Sequence, residues 1–456
     1  MTATRPSPTV RKLRQDLRDI VDAGFACAHA GRLVSRALDV HATLLTRFAS
    51  VSVVAVGKAS APMAAAFAAA YAGRMQEGIA IGPGERADVP AAFQQWPGSH
   101  PVPDARSETA ARRALEIARS VRRDDECLVV LLSGGASALM ALPAEGFDLS
   151  TKARVTAFLL AAGAPIEDLN CVRKHLSAIK GGRLAAAARA CVTFAISDVV
   201  GPPPDDPSAI GSGPTVADPT TFADALAVVD RAGVGGEFPA AALDLLERGH
   251  RGDREETVKP GDPRLARSSY RLIGSRLDAI AGAREAAEAR GYAVLTIDES
   301  IVGEARAAGA RLMEIAARWL PEVRRPFCLL AAGETTVRVR GSGKGGRNQE
   351  LALAAALRGL PEPAFVMASV GTDGVDGPTD AAGAIVDSTT IDRAARVGLG
   401  DPARYLDAND TYRFFEPLGD LIKTGPTDTN VGDLQVVLVG GDEGTRNEGR
   451  GMRNEE

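Results

Sequence analysis

Residues Phe327 to Leu360 read FCLLAAGETTVRVRGSGKGGRNQELALAAALRGL, and the rest of the chain is organised around them. The apolar run Phe327 to Ala332 predicts a buried strand, and the alternation from Thr335 to Arg340 predicts a half-exposed one. A loop follows with Gly341, Gly343, Gly345 and Gly346, carrying Lys344 and Arg347. Asn348 is the expected cap of a Leu- and Ala-rich helix that starts near Gln349. Glycines let a backbone pass close to an oxyanion, and free amides at a helix start hold one there. Lys and Arg in the same loop add full positive charge, so the stretch reads as a seat for a transferable phosphate. Two other readings stay open. Gly341, Gly343 and Gly346 match the dinucleotide fingerprint G-x-G-x-x-G, but the carboxylate it needs at the end of the next strand is misplaced. Glu362 precedes that strand and Asp373 lies too far on. The third reading is a Gly-rich hairpin with no ligand at all.

At 456 residues the chain is too long for one compact core, so two domains are expected. With 45% apolar and 24% charged residues it has the composition of an ordinary globular protein. The net charge of −5 and the lack of a long basic block argue against nucleic acid as a partner. Five scattered cysteines without a C-x-x-C read as reduced core residues of a cytoplasmic protein. The charged stretch Arg11 to Arg18 is unlike a signal peptide, and no apolar run approaches membrane-spanning length. Only eight of the 53 basic residues are lysines, namely Lys12, Lys58, Lys152, Lys174, Lys180, Lys259, Lys344 and Lys423. In a chain so biased towards Arg, a retained Lys marks a place where a compact ammonium is wanted. Lys58, Lys174, Lys180 and Lys344 fall in Gly-rich or otherwise unusual stretches.

Before the organising stretch, Val10 to Leu45 has helical periodicity. Val51 to Val56 predicts a strand that Gly57-Lys58-Ala59-Ser60 turns into a helix, placing Lys58 at a strand's carboxyl end, where open α/β sheets bind ligands. The Walker pattern is missing, so any kinase here is not a P-loop one. Cys127 to Leu132 predicts another strand, and Ser133-Gly134-Gly135-Ala136-Ser137 leads into a second helix suited to an anion. Asn170 to Leu184 gathers Arg173, Lys174, His175, Lys180 and Arg183, either a solvated helix face or an anion-facing cluster. The strand Val192 to Ile196 ends in Ser197-Asp198, and a carboxylate there suits Mg²⁺. Gly201 to Pro219 holds six prolines with Ser208, Ser212 and Thr215, which predicts a rigid functional loop. The polar run Arg251 to Arg267 is the expected domain boundary, with a new α/β unit beginning near Tyr270. After the organising stretch, Asp373, Asp376 and Asp380 cluster as a metal- or hydroxyl-binding loop, and Gly425 to Asn430 is a hydroxyl-rich turn.

Nine stretches in order, VGKAS, GSHPVPD, LLSGGASALM, NCVRKHLSAIKGGRLA, ISDVVG, GSGPT, GETTVRVRGSGKGGRNQELAL, GTDGVDGPTDAAGA and TGPTDTNVGDL, resemble the glycerate 2-kinases of the MOFRL type. They cover nearly everything from Leu13 to Val439. The resemblance implies an α/β fold of two domains, a Rossmann-like parallel-sheet domain over 1–260 and a smaller MOFRL-type α/β domain over 261–440, with the active site in the cleft between. A tail, 441–456, is expected to be disordered. It also implies transfer of the ATP γ-phosphate to the 2-hydroxyl of D-glycerate, giving 2-phosphoglycerate, with Mg²⁺. Lys58, Arg347 and Asp198 are then the expected catalytic residues, Lys58 and Arg347 sharing the migrating phosphate and the glycerate carboxylate. Asp198 and Asp373 are the expected metal ligands, and either could instead orient the attacking hydroxyl. Ser133, Gly134, Gly135, Ser137, Arg173, Lys180, Gly341, Gly343, Lys344, Gly345, Gly346, Asn348, Thr427 and Asn430 are the expected substrate- or nucleotide-binding residues. One departure is that Pro202, Pro203 and Pro204 precede the acidic pair Asp205 and Asp206, which would otherwise follow the glycine directly. The competing enzyme class is an NAD(P)H-dependent hydroxypyruvate reductase using the same loop for a dinucleotide, and a noncatalytic binding module is the third reading. No membrane partner is expected, and a homo-oligomer is left open.

Overall fold

The computed structural model describes residues 8–201, 203–233 and 238–441; beyond residue 441 the expected tail lies outside them. The described residues form two compact units, one within 25–279 with 426–432, the other of 8–24 with 280–425 and 433–441.

The first unit is built on six strands, β1 (Ser50–Val56), β2 (Met75–Ile81), β3 (Gln94–Gln95), β4 (Glu126–Leu132), β5 (Cys191–Ile196) and β6 (Ser268–Gly274). They run parallel in the order β3-β2-β1-β4-β5-β6. Parallel strands covered on both faces read as continuous apolar runs, and SVSVVAV does so for a physical reason. Val53 and Ala55 enter one core with Val129, Leu131, Phe67 and Leu33. Val54 and Val56 enter the opposite core with Val130, Leu132 and the small residues Ala110 and Ala114 of the helix Ala105–Ser120. Asp104 caps that helix through the amides of Arg106 and Ser107. A further helical layer gathers around Leu159, Val172, Phe222 and Leu246.

The second unit holds β7 (Ala293–Thr296), β8 (Ile301–Glu304), β9 (Phe327–Thr336), β10 (Phe365–Gly371), β11 (Gly383–Asp387), β12 (Leu421–Ile422) and β13 (Asp433–Val439). Their order is β12-β11-β10-β13-β9-β7, with β8 on β9. Only β7 and β8 pair with β9 in parallel; the other pairs are antiparallel. The helices Ala305–Trp319 and Arg347–Arg358 pack on this sheet through Leu312, Met313, Leu351 and Ala355.

The units depart from the expected boundary at residue 260. Tyr270 opens no new unit: β6 adds to the first sheet beside β5, pairing Thr193 with Tyr270. The amino-terminal helix up to Gly24 joins the second unit, where Arg14 bonds Asp420 at 2.8 Å. Among the described residues no helix is long and apolar enough to cross a membrane.

Candidate active site

In the parallel-sheet unit, β1 and β4 are neighbours whose chains lead away in opposite directions, towards β2 and towards β5. The crevice outside their carboxyl ends is the topological switch point, where open α/β sheets take ligands. Two loops meet there. The Lys58 amide bonds the Gly134 carbonyl at 2.9 Å, the Ser133 amide bonds the Val56 carbonyl at 2.9 Å, and the Ala59 amide donates to Ser133 Oγ at 3.2 Å. Gly57 is obligatory: its φ is +127°, and a Cβ there would stand 2.1 Å from Ser133 Oγ. Ser133 is buried with its hydroxyl taken up by this joint, so it positions the loops instead of facing a ligand. The expected helix after it is a single turn, Ala136–Leu139.

Around this joint stand three groups that can act on a ligand. The stem of Lys58 and the ring of His100 flank Gly135, whose added Cβ would lie 3.3 and 3.1 Å from them. Asp198, just past β5, accepts a 2.8 Å hydrogen bond from Asn430 Nδ2. Gly134 lets the backbone run against that pair, since a Cβ would come within 2.0 Å of Asp198 Oδ2 and 2.3 Å of Asn430 Nδ2. Asn430 arrives on a segment anchored by Thr429 Oγ1, which donates to the Ala28 carbonyl at 2.6 Å. Thr427 lies half-buried on the same segment.

The cationic stretch Asn170 to Leu184 is not a solvated face, because Lys174, His175 and Lys180 are buried. Three of its members are structural. Lys174 pairs with Asp218 at 3.3 Å, His175 bonds the Cys171 carbonyl at 2.8 Å and meets Glu256 at 2.9 Å, and Arg183 donates to the Lys174 and Ser177 carbonyls. Lys180 instead donates to the Gly211 carbonyl at 2.9 Å and to Ser137 Oγ at 3.3 Å. Ser137 meets Ser212 at 2.7 Å, and Ser212 is held at φ +60°, a backbone strain that non-glycine residues rarely carry. In the acidic pair, Asp206 braces its own turn by accepting from the Ser208 amide and hydroxyl, and Asp205 sits at φ +60°.

In the other unit, β9 runs as one strand to Thr336 before the glycine loop, and the helix starts at Arg347 with Gly346 as N-cap. Asn348 is therefore inside the helix. The cap comes from Asp376, which accepts the Asn348 and Gln349 amides at 3.0 and 2.9 Å; burial pushes its carboxyl up to about 6 although both amides pull it down. The loop glycines are demanded by the chain's own neighbours. Added Cβ atoms would stand 2.3 Å from Ala408 O at Gly341, 2.4 Å from Asp410 at Gly343, 2.4 Å from Thr411 at Gly345 and 2.3 Å from Asp376 at Gly346. The amides of Gly341, Gly343 and Lys344 already donate to Asn409, Ala408 and Asp410, which corrects the expectation that the whole loop cradles an anion. Among the described residues the amides of Gly345, Gly346 and Arg347 have no acceptor, so the anion donors at this helix start narrow to these three.

The side chains are redistributed too. Lys344 Nζ lies 3.9 Å over the Tyr412 ring. Arg347 grips buried Asp433 bidentately, Nε to Oδ2 at 2.7 Å and Nη2 to Oδ1 at 2.9 Å, and meets Glu334 at 2.9 Å. Burial pulls the guanidinium's pKa down, but these carboxylates outweigh it and hold it above its ordinary value. The three aspartates do not form a metal loop. Asp376 caps the helix, Asp380 pairs with Lys423 at 2.9 Å, and Asp373 accepts the Val375 amide at 3.1 Å. Among the described residues no three His, Cys, Asp or Glu side chains gather as a metal site.

Sequence reasoning missed His100 and the Arg347 partners Asp433 and Glu334, and it gave Asp376 to a metal- or hydroxyl-binding loop instead of a helix cap. GSHPVPD was the only signal for His100; the others depend on chain crossings with no local signature.

Residues 16–247 match a family described as a domain of unknown function (DUF4147), and residues 327–433 match the MOFRL family. A protein of Agrobacterium vitis, whose name provisionally assigns it as a hydroxypyruvate reductase, is 41% identical over 438 residues, 94% of each chain. The glycerate 2-kinase of Pyrococcus horikoshii is 38% identical over 395 residues, 85% of this chain and 87% of that one. A crystal structure of glycerate kinase from Thermotoga maritima superposes with a TM-score of 0.80 at 35% identity, covering 94% of this chain and 100% of the other.

Proposed function

The chain belongs to the glycerate kinases that carry a MOFRL domain, and from that premise we propose that it moves the γ-phosphoryl group of ATP to the 2-hydroxyl of D-glycerate. The hydroxyl oxygen forms a bond to the γ-phosphorus while the β,γ-bridging bond breaks, giving 2-phosphoglycerate, ADP and a proton. Such transfer asks for positioning and charge neutralisation more than for covalent chemistry. The observation that carries the reading is the β1/β4 switch point, where Lys58, the Gly134-Gly135 turn and the Asp198–Asn430 pair converge.

In this reading Lys58 holds the migrating phosphoryl oxygens, and Arg347 with the amides of Gly345 and Gly346 holds a second anionic group. Asn430 orients Asp198. One carboxylate beside substrate phosphates suits Mg²⁺, which keeps most of its coordination for water and phosphate oxygens; Asp198 is the favoured ligand and Asp373 the alternative. When bound, the ion would neutralise charge on the phosphates.

The name of the Agrobacterium vitis relative favours a reductase as second reading. Against it, the fingerprint glycines are backed by the chain itself, Gly341 and Gly343 by Ala408 and Asp410 and Gly346 by Asp376, and the strand beside β9 on that side is antiparallel β13. A dinucleotide cradle needs the opposite of both. Phosphorus NMR of the product from glycerate, ATP and Mg²⁺ tests the proposal. A 2-phosphoglycerate resonance with ADP is expected; NADH oxidation with hydroxypyruvate and no phosphoglycerate would overturn it.

A further inference from the structure

Beside the switch-point loops stand three basic side chains that have no counter-charge among the described residues. Lys152, on the helix Leu149–Ala161, is 6% exposed, and its ammonium nitrogen is buried with no hydrogen-bond partner among the described residues. Lys180 is 2% exposed. Arg173, half-buried on the helix Ile166–His175, repels both. No carboxylate among the described residues pairs with any of the three. The acids nearby are spent elsewhere, Asp218 on Lys174 and Glu256 on His175. The helix Ala240–His250, packed on the Lys152 helix, keeps Asp244 and Glu247 exposed.

An isolated buried ammonium is expensive unless paired, so three converging cations describe a place kept for an anion. The Ser137 hydroxyl accepts from Lys180 and stands 2.7 Å from that of Ser212, whose own proton goes to Asn170 Oδ1 at 3.1 Å, so Ser137 is the hydroxyl that can turn to a ligand. A carboxylate brings one negative charge, whereas a phosphoryl group brings close to two and three acceptor oxygens. We infer that Lys152, Arg173 and Lys180, with the Ser137 hydroxyl, form a dedicated phosphoryl-binding subsite. This rests on the kinase reading for which phosphate it holds, the nucleotide's or that of a phosphorylated product.

Burial first, then the charge of Arg173, brings Lys152 down to about 7, so in the empty protein it is largely neutral at pH 8. An anion restores the charged form, and binding there takes up a proton. Titration calorimetry of the intact chain at pH 8, in two buffers of different ionisation enthalpy, reads this directly. ATP, ADP, 2-phosphoglycerate and inorganic phosphate are each titrated, with D-glycerate as the carboxylate control. The expected result is uptake of roughly half a proton or more with at least one phosphate-bearing ligand. Lys152→Met, which keeps volume and removes the charge, should lower the uptake, leaving only the share of Lys180, whose ammonium burial also disfavours, and weaken that ligand at least roughly tenfold. Which ligand responds identifies the source of the phosphate. Absence of uptake with all four, or an unchanged Lys152→Met titration, overturns the subsite; uptake with D-glycerate alone overturns its phosphoryl assignment. A chain that takes up a proton with phosphate yet makes no phosphoglycerate would keep the subsite and lose the kinase reading.

Discussion

Arg347→Lys separates the two tasks that fall on this guanidinium. The parent side chain makes three charge-assisted contacts, two to Asp433, whose side chain is 0% exposed, and one to Glu334, which is 40% exposed. A lysine keeps the charge but offers one direct line to Asp433. The lost buried contact costs about 1.5–3 kcal/mol, and the exposed one adds up to about 1 kcal/mol. The total, roughly 2–4 kcal/mol, should lower the melting temperature of the second unit by roughly 5–15 °C in scanning calorimetry. Activity is then measured well below that transition, so that both proteins are folded. If Arg347 also holds a reactant, kcat/KM falls by roughly a hundredfold or more, the direction of arginine losses in phosphoryl transfer. A deficit confined to KM places Arg347 on a group held alike in ground and transition states, and one in kcat places it on the migrating phosphoryl. A variant that melts with the parent refutes the ion-pair argument. One that melts lower but stays within about threefold in both kinetic parameters makes Arg347 purely structural.

Lys58→Ala should leave stability within about 1 kcal/mol and lower kcat roughly a hundredfold; near-parental turnover would return Lys58 to the surface lysines. Gly134→Ala forces a Cβ to within 2.0 Å of Asp198 Oδ2, so Asp198 must leave Asn430. ADP release should then need at least roughly tenfold more Mg²⁺, and an unchanged Mg²⁺ titration would remove Asp198 as a ligand. Asp376→Ala strands the Asn348 and Gln349 amides in the interior and should cost about 2–4 kcal/mol in denaturant unfolding. Because burial raises the Asp376 carboxyl to about 6, above its unfolded value near 4, the folded state binds the extra proton between them. The parent should therefore lose stability as pH rises from about 4 to about 6, and Asp376→Ala should lack that component; equal slopes would contradict the burial argument.

Strands β1, β4 and β5 were legible almost to the residue, because strands covered on both faces must be continuously apolar. So was the place of Lys58, since a strand end followed by a helix start is a local pattern. The glycine loop was legible as a loop, but not which of its glycines make room for the chain itself: glycines that admit a ligand and glycines that admit the backbone of Ala408 look alike in one dimension. What lay out of reach were the partners of buried charge. Asp433 is 86 residues from Arg347, and Asn430 is 232 from Asp198. The segment 426–432 leaves one unit to complete the other, and β6 extends a sheet whose other strands end before residue 197. Periodicity records which side of an element is buried, and local composition records how it starts and stops. Neither records what a buried ion meets there, because its cost falls only when distant parts of the chain arrive together, and that was decided by the tertiary structure alone.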